Sequence, residues 1–381
     1  MDLVAGKTFA PERRPIRHVD PVLLLAVGGL VISGLFMVYS ATHQSLDAIG
    51  ADPGTYLKRQ ATFAALGMVV VMLAASFDYR FLKVYAGIIY GASILLLVLV
   101  RTPLGTSVKG SQRWFELFGF QLGPSELAKV ALIIMLAAFL SEIRRSSADL
   151  SLPDVYRATA IAAVPGVLVF LQPDLGTSIV LMSILVGILV VAGARPRHLG
   201  VLALTAIVLT FGAFQLGLVK EYQIARLTSF LDPTNDPQRR DYNRLQAEIA
   251  IGSGGLTGLG YMQGTQTNLD FVPEQHTDFI FTVVGEEFGF VGAATMLLLF
   301  AVIVWRTFRI ALLSKDPFGT YLAAGIGSMF AIQMFVNVGM TLGIMPITGI
   351  PLPFVSYGGS SLLTNGVAVG LLLNVHMRRF K

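Results

Sequence analysis

The chain alternates long apolar runs with short polar or Gly/Pro-rich stretches, and the runs start near Pro21, Arg59, Val84, Glu126, Ala158, Leu175, Leu199, Phe279, Thr320 and Ser361. Each is long enough for a helix of about 20 residues, the length that crosses a hydrocarbon core. None alternates with the two-residue period of a barrel strand, and backbone groups left unpaired in lipid are costly, so helices are the expected solution. The pattern predicts an all-α integral membrane protein with ten transmembrane helices. The expected organisation is a polar tail over residues 1–20 and one membrane domain over 21–381, with no fixed-period repeat and no low-complexity linker.

Composition agrees. Of 381 residues, 54% are hydrophobic and 13% charged, and the mean hydropathy is +0.69, too apolar for a soluble domain. Orientation follows from the basic residues, which favour cytoplasmic loops. With the N-terminus inside, the inner side receives Arg13, Arg14, Arg17, Arg80, Lys83, Arg144, Arg145, Arg195, Arg197, Arg306, Arg309, Arg378 and Arg379. Both termini are then cytoplasmic. The net charge of +5 is mostly this bias and does not argue for nucleic acid. The absence of cysteine excludes disulfides, thiol catalysis, Fe–S clusters and Cys-type zinc sites. The first run is too long for a signal-peptide core and reads as an uncleaved anchor.

Three connections concentrate Gly, Pro and ionisable residues and are expected on the outer face: residues 101–125, 219–277 and 344–360. The second is a long extracytoplasmic loop between helices 7 and 8, within which Leu245–Ile251 reads as a short helix or re-entrant piece. Ser253–Gly260 (Ser-Gly-Gly-Leu-Thr-Gly-Leu-Gly) follows no strand and lacks the ending of a P-loop, so its glycines read as tight turns or sites of close approach. The five histidines show no metal-ligand spacing.

Ionisable residues inside apolar runs are informative, because charge in a bilayer must be paired or wet. Glu126 and Lys129 share one face at the start of the fourth run, as an i,i+3 ion pair or as part of a site. Asp174, in Leu-Gln-Pro-Asp-Leu-Gly-Thr, is expected at the same level and within reach of Lys129. Glu286 and Glu287 imply a wet cavity or a helix break at Gly285 or Gly289. Asp278 opens the eighth run, where a cap at Thr277 and an acid favoured by the helix dipole would explain it without chemistry. Arg113 and Trp114 read most simply as an interfacial aromatic with a snorkelling base.

Taken in order, Gly110–Phe115, Pro124–Lys129, Gln172–Thr177, Ala250–Gly255, Phe271–Phe281 and Pro351–Ser361 resemble the SEDS family (shape, elongation, division and sporulation), which includes RodA and FtsW. Gly264-Thr265-Gln266 and the stretch from Gly339 to Pro351 look more like the RodA branch. The resemblance implies a peptidoglycan glycosyltransferase of the bacterial inner membrane. Such an enzyme polymerises lipid II with undecaprenyl pyrophosphate as leaving group, alongside a class B penicillin-binding protein. It implies Asp278 as the essential acid of a Pro-Glu-x-x-Thr-Asp-Phe motif that includes Glu274, His276 and Thr277. Glu126, Lys129 and Asp174 match the family's polar cluster, and Trp114, beside Arg113, its loop tryptophan. Gly123 departs from the usual Gln and Ser111 from a common Ala. A carboxylate would serve as general base on the acceptor hydroxyl. Charge on the pyrophosphate would be met by Lys129, by loop arginines or by a divalent cation (Mg or Mn). Two other functions fit the same residues, a lipid II flippase and a non-catalytic scaffold for the transpeptidase.

Overall fold

The computed structural model describes residues 18–108, 111–117, 120–146, 150–215 and 241–379. Residues 1–17 of the expected tail, and 216–240 of the long connection, lie outside them. In chain order the helices are α1 (Pro21–Ala48), α2 (Thr55–Ser76), α3 (Arg80–Leu99), α4 (Pro124–Ser146), α5 (Leu152–Phe170), α6 (Leu175–Val191), α7 (Pro196–Gln215), α8 (Asp241–Ser253), α9 (Thr265–Asn268), α10 (Ile280–Leu312), α11 (Pro317–Thr341) and α12 (Gly359–Arg378). Polar side chains set several of the starts. Asp20 accepts from Leu23 N and Asp316 from Gly319 N, each followed by a Pro in the first turn, where its missing N–H costs nothing.

Among the described residues seven helices, α1, α2, α3, α5, α10, α11 and α12, are long and apolar enough to cross a membrane, and α6 and Pro196–Val208 of α7 are shorter apolar helices. The chain is a multi-pass membrane protein. Helices α4, α11 and α12 form its centre. Helix α12, with mean hydropathy 1.2, is 89% buried, whereas α1, at 2.4, is 33% buried. Lipid repays apolar surface on the outside, and contact between helices in the interior rewards small and polar residues. At Gly370 of α12 an added Cβ would lie 2.7 Å from Val71 O of α2, and Asn374 of α12 donates to Ala74 O at 2.8 Å.

The connections depart from a simple helix-and-loop picture. Within 101–125 the chain is not helical: β1 (Thr106–Val108), β2 (Ser111–Leu117) and β3 (Phe120–Leu122) make an antiparallel sheet in the order β1-β2-β3, with Phe115 opposite Leu122 and Glu116 opposite Gln121. The architecture is helical as expected, and this connection adds three strands of 3, 7 and 3 residues, too short for a scan for long apolar runs to register. Residues 344–360 do not form an open external loop either. Leu352, Phe354, Val355 and Ser356 are buried, and Phe354 O and Val355 O press on Gly34, about halfway along α1. Non-helical backbone at that depth needs protein partners for its polar groups. Gln60 of α2 donates to Ser356 O at 3.1 Å, Asn337 of α11 to Ile350 O at 2.7 Å, and Leu352 N to Ser356 Oγ at 2.8 Å.

Helix α10 has 33 residues, about 50 Å at the helical rise, longer than a bilayer core of about 30 Å. It breaks at Gly289 (φ 60°, ψ −157°), one of the two positions expected from Glu286 and Glu287. The glycine-rich segment after α8 splints that break. Leu259 N and Gly260 N donate to Glu286 O and Glu287 O, while Phe290 N and Val291 N donate to Gly255 O and Leu256 O, all at 2.9–3.1 Å. The glycines allow a close approach, as expected from sequence, but to a helix.

At the other end of the bundle, Asp20 is fully buried and accepts from Arg306 Nε of α10 at 2.8 Å, with His376 Nδ1 of α12 3.9 Å away.

The splint yields a stability contrast. A Cβ at Gly258 (φ +83°) would lie 2.1 Å from Glu287 O, whereas one at Gly255 (φ +53°) meets nothing within 4 Å. Gly255→Ala is expected to cost about 1–2 kcal/mol from backbone conformation alone, and Gly258→Ala about 1–3 kcal/mol more from overpacking. Thermal melting of the purified variants checks this. Equal shifts would mean that the segment does not lie on α10.

Candidate active site

Asp278 sits in the turn before α10. Glu274, with φ +57°, bends the chain so that its carbonyl accepts from Thr277 N and Asp278 N at 3.1 Å each. Thr277 does not cap the helix as expected. Its hydroxyl donates back to Glu274 O at 3.1 Å, and Phe279 occupies the cap position without a side-chain bond. Buried Gln275 fastens the turn to α1 and α9 by donating to Ala41 O and Thr267 O, both at 2.9 Å. The His276 ring lies 5.0 Å from that of Tyr56 and 5.8 Å from that of Tyr357, and His276 O accepts from Tyr357 N at 2.9 Å. Burial pushes the Tyr357 phenol above its ordinary value, and Arg59 pulls it the other way. The Asp278 carboxylate lies against Gly349 (φ +72°), where an added Cβ would stand 3.1 Å from Oδ2.

Lys129, 1% exposed, donates to Glu126 at 2.8 Å, so the i,i+3 pair is formed and shut inside the protein. Asp174 does not join it. Its carboxylate caps α6, accepting from Thr177 N at 3.0 Å and Thr177 Oγ1 at 2.9 Å, and its charge partner is Arg113 at 3.8 Å. Among the described residues no ion pair links Lys129 to Asp174. The expected link fails because an acid at a helix N-cap turns toward the free N–H groups of its own first turn. Arg113 also donates to Pro173 O at 2.5 Å, tying β2 to the start of α6. The half-buried Trp114 lies over Gly123, where a Cβ would stand 2.8 Å from its ring. Glycine at this position thus makes room for the tryptophan.

The segment Thr348–Ile350 joins these parts, touching Asp278 on one side and Gly176, two residues past Asp174, on the other. Ser360, at the start of α12, accepts from Gly123 N at 3.1 Å. The first residues of α4, α6, α10 and α12 therefore converge at one end of the bundle. Four helix N-termini favour an anion there, and Glu126, Asp174 and Asp278 each occupy such an end.

Glu286 and Glu287 stand apart. Glu286 accepts from Gln266 N at 2.7 Å, Thr267 N at 3.0 Å and Thr267 Oγ1 at 2.7 Å, and so caps α9, while Glu287 accepts from Ser40 of α1. Sequence reasoning passed over Asn337 and Gln60, amides within or at the edge of apolar runs. Their signal was the same desolvation argument applied to charges.

The family model for FtsW/RodA/SpoVE, described as cell cycle protein, matches residues 21–381. The chain belongs to this family. It is 39% identical over 372 residues to the probable peptidoglycan glycosyltransferase FtsW of Geobacter metallireducens, covering 97% of this chain and 98% of that protein. It is 36% identical over 362 residues to the peptidoglycan glycosyltransferase MrdB of Escherichia coli K12, covering 95% and 94%. Among solved structures, this FtsW/RodA/SpoVE member is similar to a chain from a peptidoglycan synthase complex in which polymerization and crosslinking are coordinated (TM-score 0.76, 31% identity, 95% and 99% covered). It is also similar to the rod shape determining protein RodA of Thermus thermophilus (TM-score 0.69, 31% identity, 95% and 98% covered).

The different partners of Lys129 and Asp174 are separable by experiment. Lys129→Met and Glu126→Gln, each leaving a buried charge unpaired, are expected to cost about 3–5 kcal/mol, with the double variant milder. Lys129→Met and Asp174→Asn are expected to add within about 0.5 kcal/mol. Melting of the five proteins checks this, and a Lys129–Asp174 coupling as large as that of Lys129–Glu126 would contradict the arrangement.

Proposed function

We propose that this protein is a peptidoglycan glycosyltransferase that polymerises lipid II into β-1,4-linked glycan during cell elongation. The observation that carries the reading is Asp278, set where four helix N-termini converge, in a family whose relatives bear the names FtsW and MrdB and the printed activity peptidoglycan glycosyltransferase. A sugar hydroxyl is a weak nucleophile, and Asp278 would take its proton as general base. The leaving pyrophosphate needs charge stabilisation more than a proton, and the helix ends with Arg113 can supply it. Attack opposite the departing group inverts an α-linked donor to a β product in one step. Lys129, closed into its pair with Glu126, is assigned to holding α4 in place. Glu274, His276, Thr277 and Trp114 shape the walls around the acid.

Among the described residues no three acidic or histidine side chains gather as a metal site. A divalent cation, Mg or Mn, would accordingly arrive with pyrophosphate oxygens as most of its ligands. The elongation role is supported by the RodA-like stretches and by the likeness to RodA, although an FtsW-named relative is of similar identity. The reading includes ten spans: the seven long apolar helices, α6, α7 and the charged but central α4. In it both termini and the tail 1–20 are cytoplasmic, and the site and the loop over 219–277 face outward. The partner is a class B penicillin-binding protein, supported by the likeness to a synthase complex that couples polymerization to crosslinking. A flippase would need a path between leaflets, whereas Glu126, Asp174, Arg113 and Asp278 all lie toward one end of the bundle.

Two outcomes are expected. Folded Asp278→Asn protein, given purified lipid II, is expected to lose polymerisation by about 10² to 10⁴ in rate, read as glycan on a gel. Near wild-type polymer would remove Asp278 as the base. Tags at the N-terminus, near Arg145 and at the C-terminus are expected to report cytoplasm, and one within 232–240 the outside. A cytoplasmic signal from that last tag would put Asp278 on the wrong side for glycan synthesis.

A further inference from the structure

Asn337 lies in the last two turns of α11 and is fully buried. A buried amide in a bundle has to place its N–H groups, and this one directs Nδ2 at two carbonyls of different segments. Asp278 O accepts at 2.8 Å and Ile350 O at 2.7 Å. Both N–H bonds of the amide are thereby engaged. One acceptor belongs to the residue that carries the acid. The other follows Gly349, whose backbone forms the wall beside the Asp278 carboxylate. The separation of acid and wall is therefore set by one side chain on a central, tightly packed helix.

The Asp278 turn is held on its other side by Glu274 O, at 3.1 Å from Asp278 N. The wall admits little change. Gly349 has φ +72°, and an added Cβ would stand 3.1 Å from Oδ2. A general base works only within hydrogen-bond reach of the hydroxyl it deprotonates, and a displacement of about 1 Å can cost about 100-fold in rate.

We propose that Asn337 is a positioning residue for the reaction: by bridging the carbonyls of Asp278 and Ile350 it holds the Asp278 carboxylate against Gly349, in the place from which it reaches the acceptor hydroxyl. The inference rests on Asp278 as the base. Asn337 touches no substrate, so its contribution falls on turnover and leaves substrate affinity alone.

The test uses purified full-length protein and lipid II, comparing Asn337→Ala, Gly349→Ala, Asp278→Asn and the double variant Asn337→Ala/Asp278→Asn. Folded Asn337→Ala is expected to lose about 100-fold in kcat with KM within about twofold. In the Asp278→Asn background the same change is expected to lower the residual rate by less than about threefold, since there is no base left to position. Gly349→Ala, which attacks the contact from the wall side, is expected to give the same loss in kcat alone and decides the matter if Asn337→Ala does not fold. The proposal is overturned if folded Asn337→Ala keeps kcat within about threefold of wild type, if its loss is undiminished without the Asp278 carboxylate, or if KM rises in step with the loss. Failure of both single variants to fold would also overturn it, in favour of a purely structural role. If Asp278→Asn alone polymerises normally, the base assignment fails instead, and that variant shows it independently of the others.

Discussion

Irregular backbone buried among membrane helices has to be hydrogen-bonded by its neighbours, and the architecture around the candidate site follows from that requirement. Helix α10 can break at Gly289 because four backbone bonds from the glycine-rich segment replace those that the break removes. The segment before α12 can lie at the depth of Gly34 because Gln60, Ser356 and Asn337 meet its peptide groups. In water these groups could turn to solvent. In hydrocarbon each must find protein, so a handful of amides and hydroxyls determine where the chain may leave the helix.

The same economy separates two kinds of acid in the bundle. Glu126 and Glu286 are engaged by partners within the protein, Lys129 for one and the short helix α9 for the other. Their removal would be felt as a packing defect. Asp278 stands at a helix start beside a glycine wall, half-buried, at an end where four helix dipoles point. Helix N-termini favour a negative charge at such a position.

Much of this was legible from the chain alone. Seven of the expected runs fall on described helices long and apolar enough to cross a membrane, because a twenty-residue apolar stretch leaves few other structures open. The break near Glu286 and Glu287 was legible for a related reason, since two adjacent carboxylates cannot sit in an unbroken lipid-facing helix. What escaped was short local structure and long-range pairing. The sheet at Thr106–Leu122 is too short for a hydropathy scan. The choice of Asp174 between Lys129 and its own helix depends on where the carboxylate turns. The burial of Pro351–Ser356 was hidden because a Pro-rich connection between two helices looks like a surface loop. Asn337 was visible as a letter but not as a contact, its two acceptors being 59 and 13 positions away.

The pairing of Asp20 with Arg306 bears on how the molecule is made. The two residues are 286 positions apart, and the remaining member of the group, His376, belongs to the last helix. A nascent chain entering the bilayer therefore carries an acid at the start of its first helix for most of its synthesis, with Arg306 not yet translated. That helix is apolar enough to insert on its own merits. Insertion of that helix and closure of its Asp20 contact are in consequence separate events, the second waiting for α10.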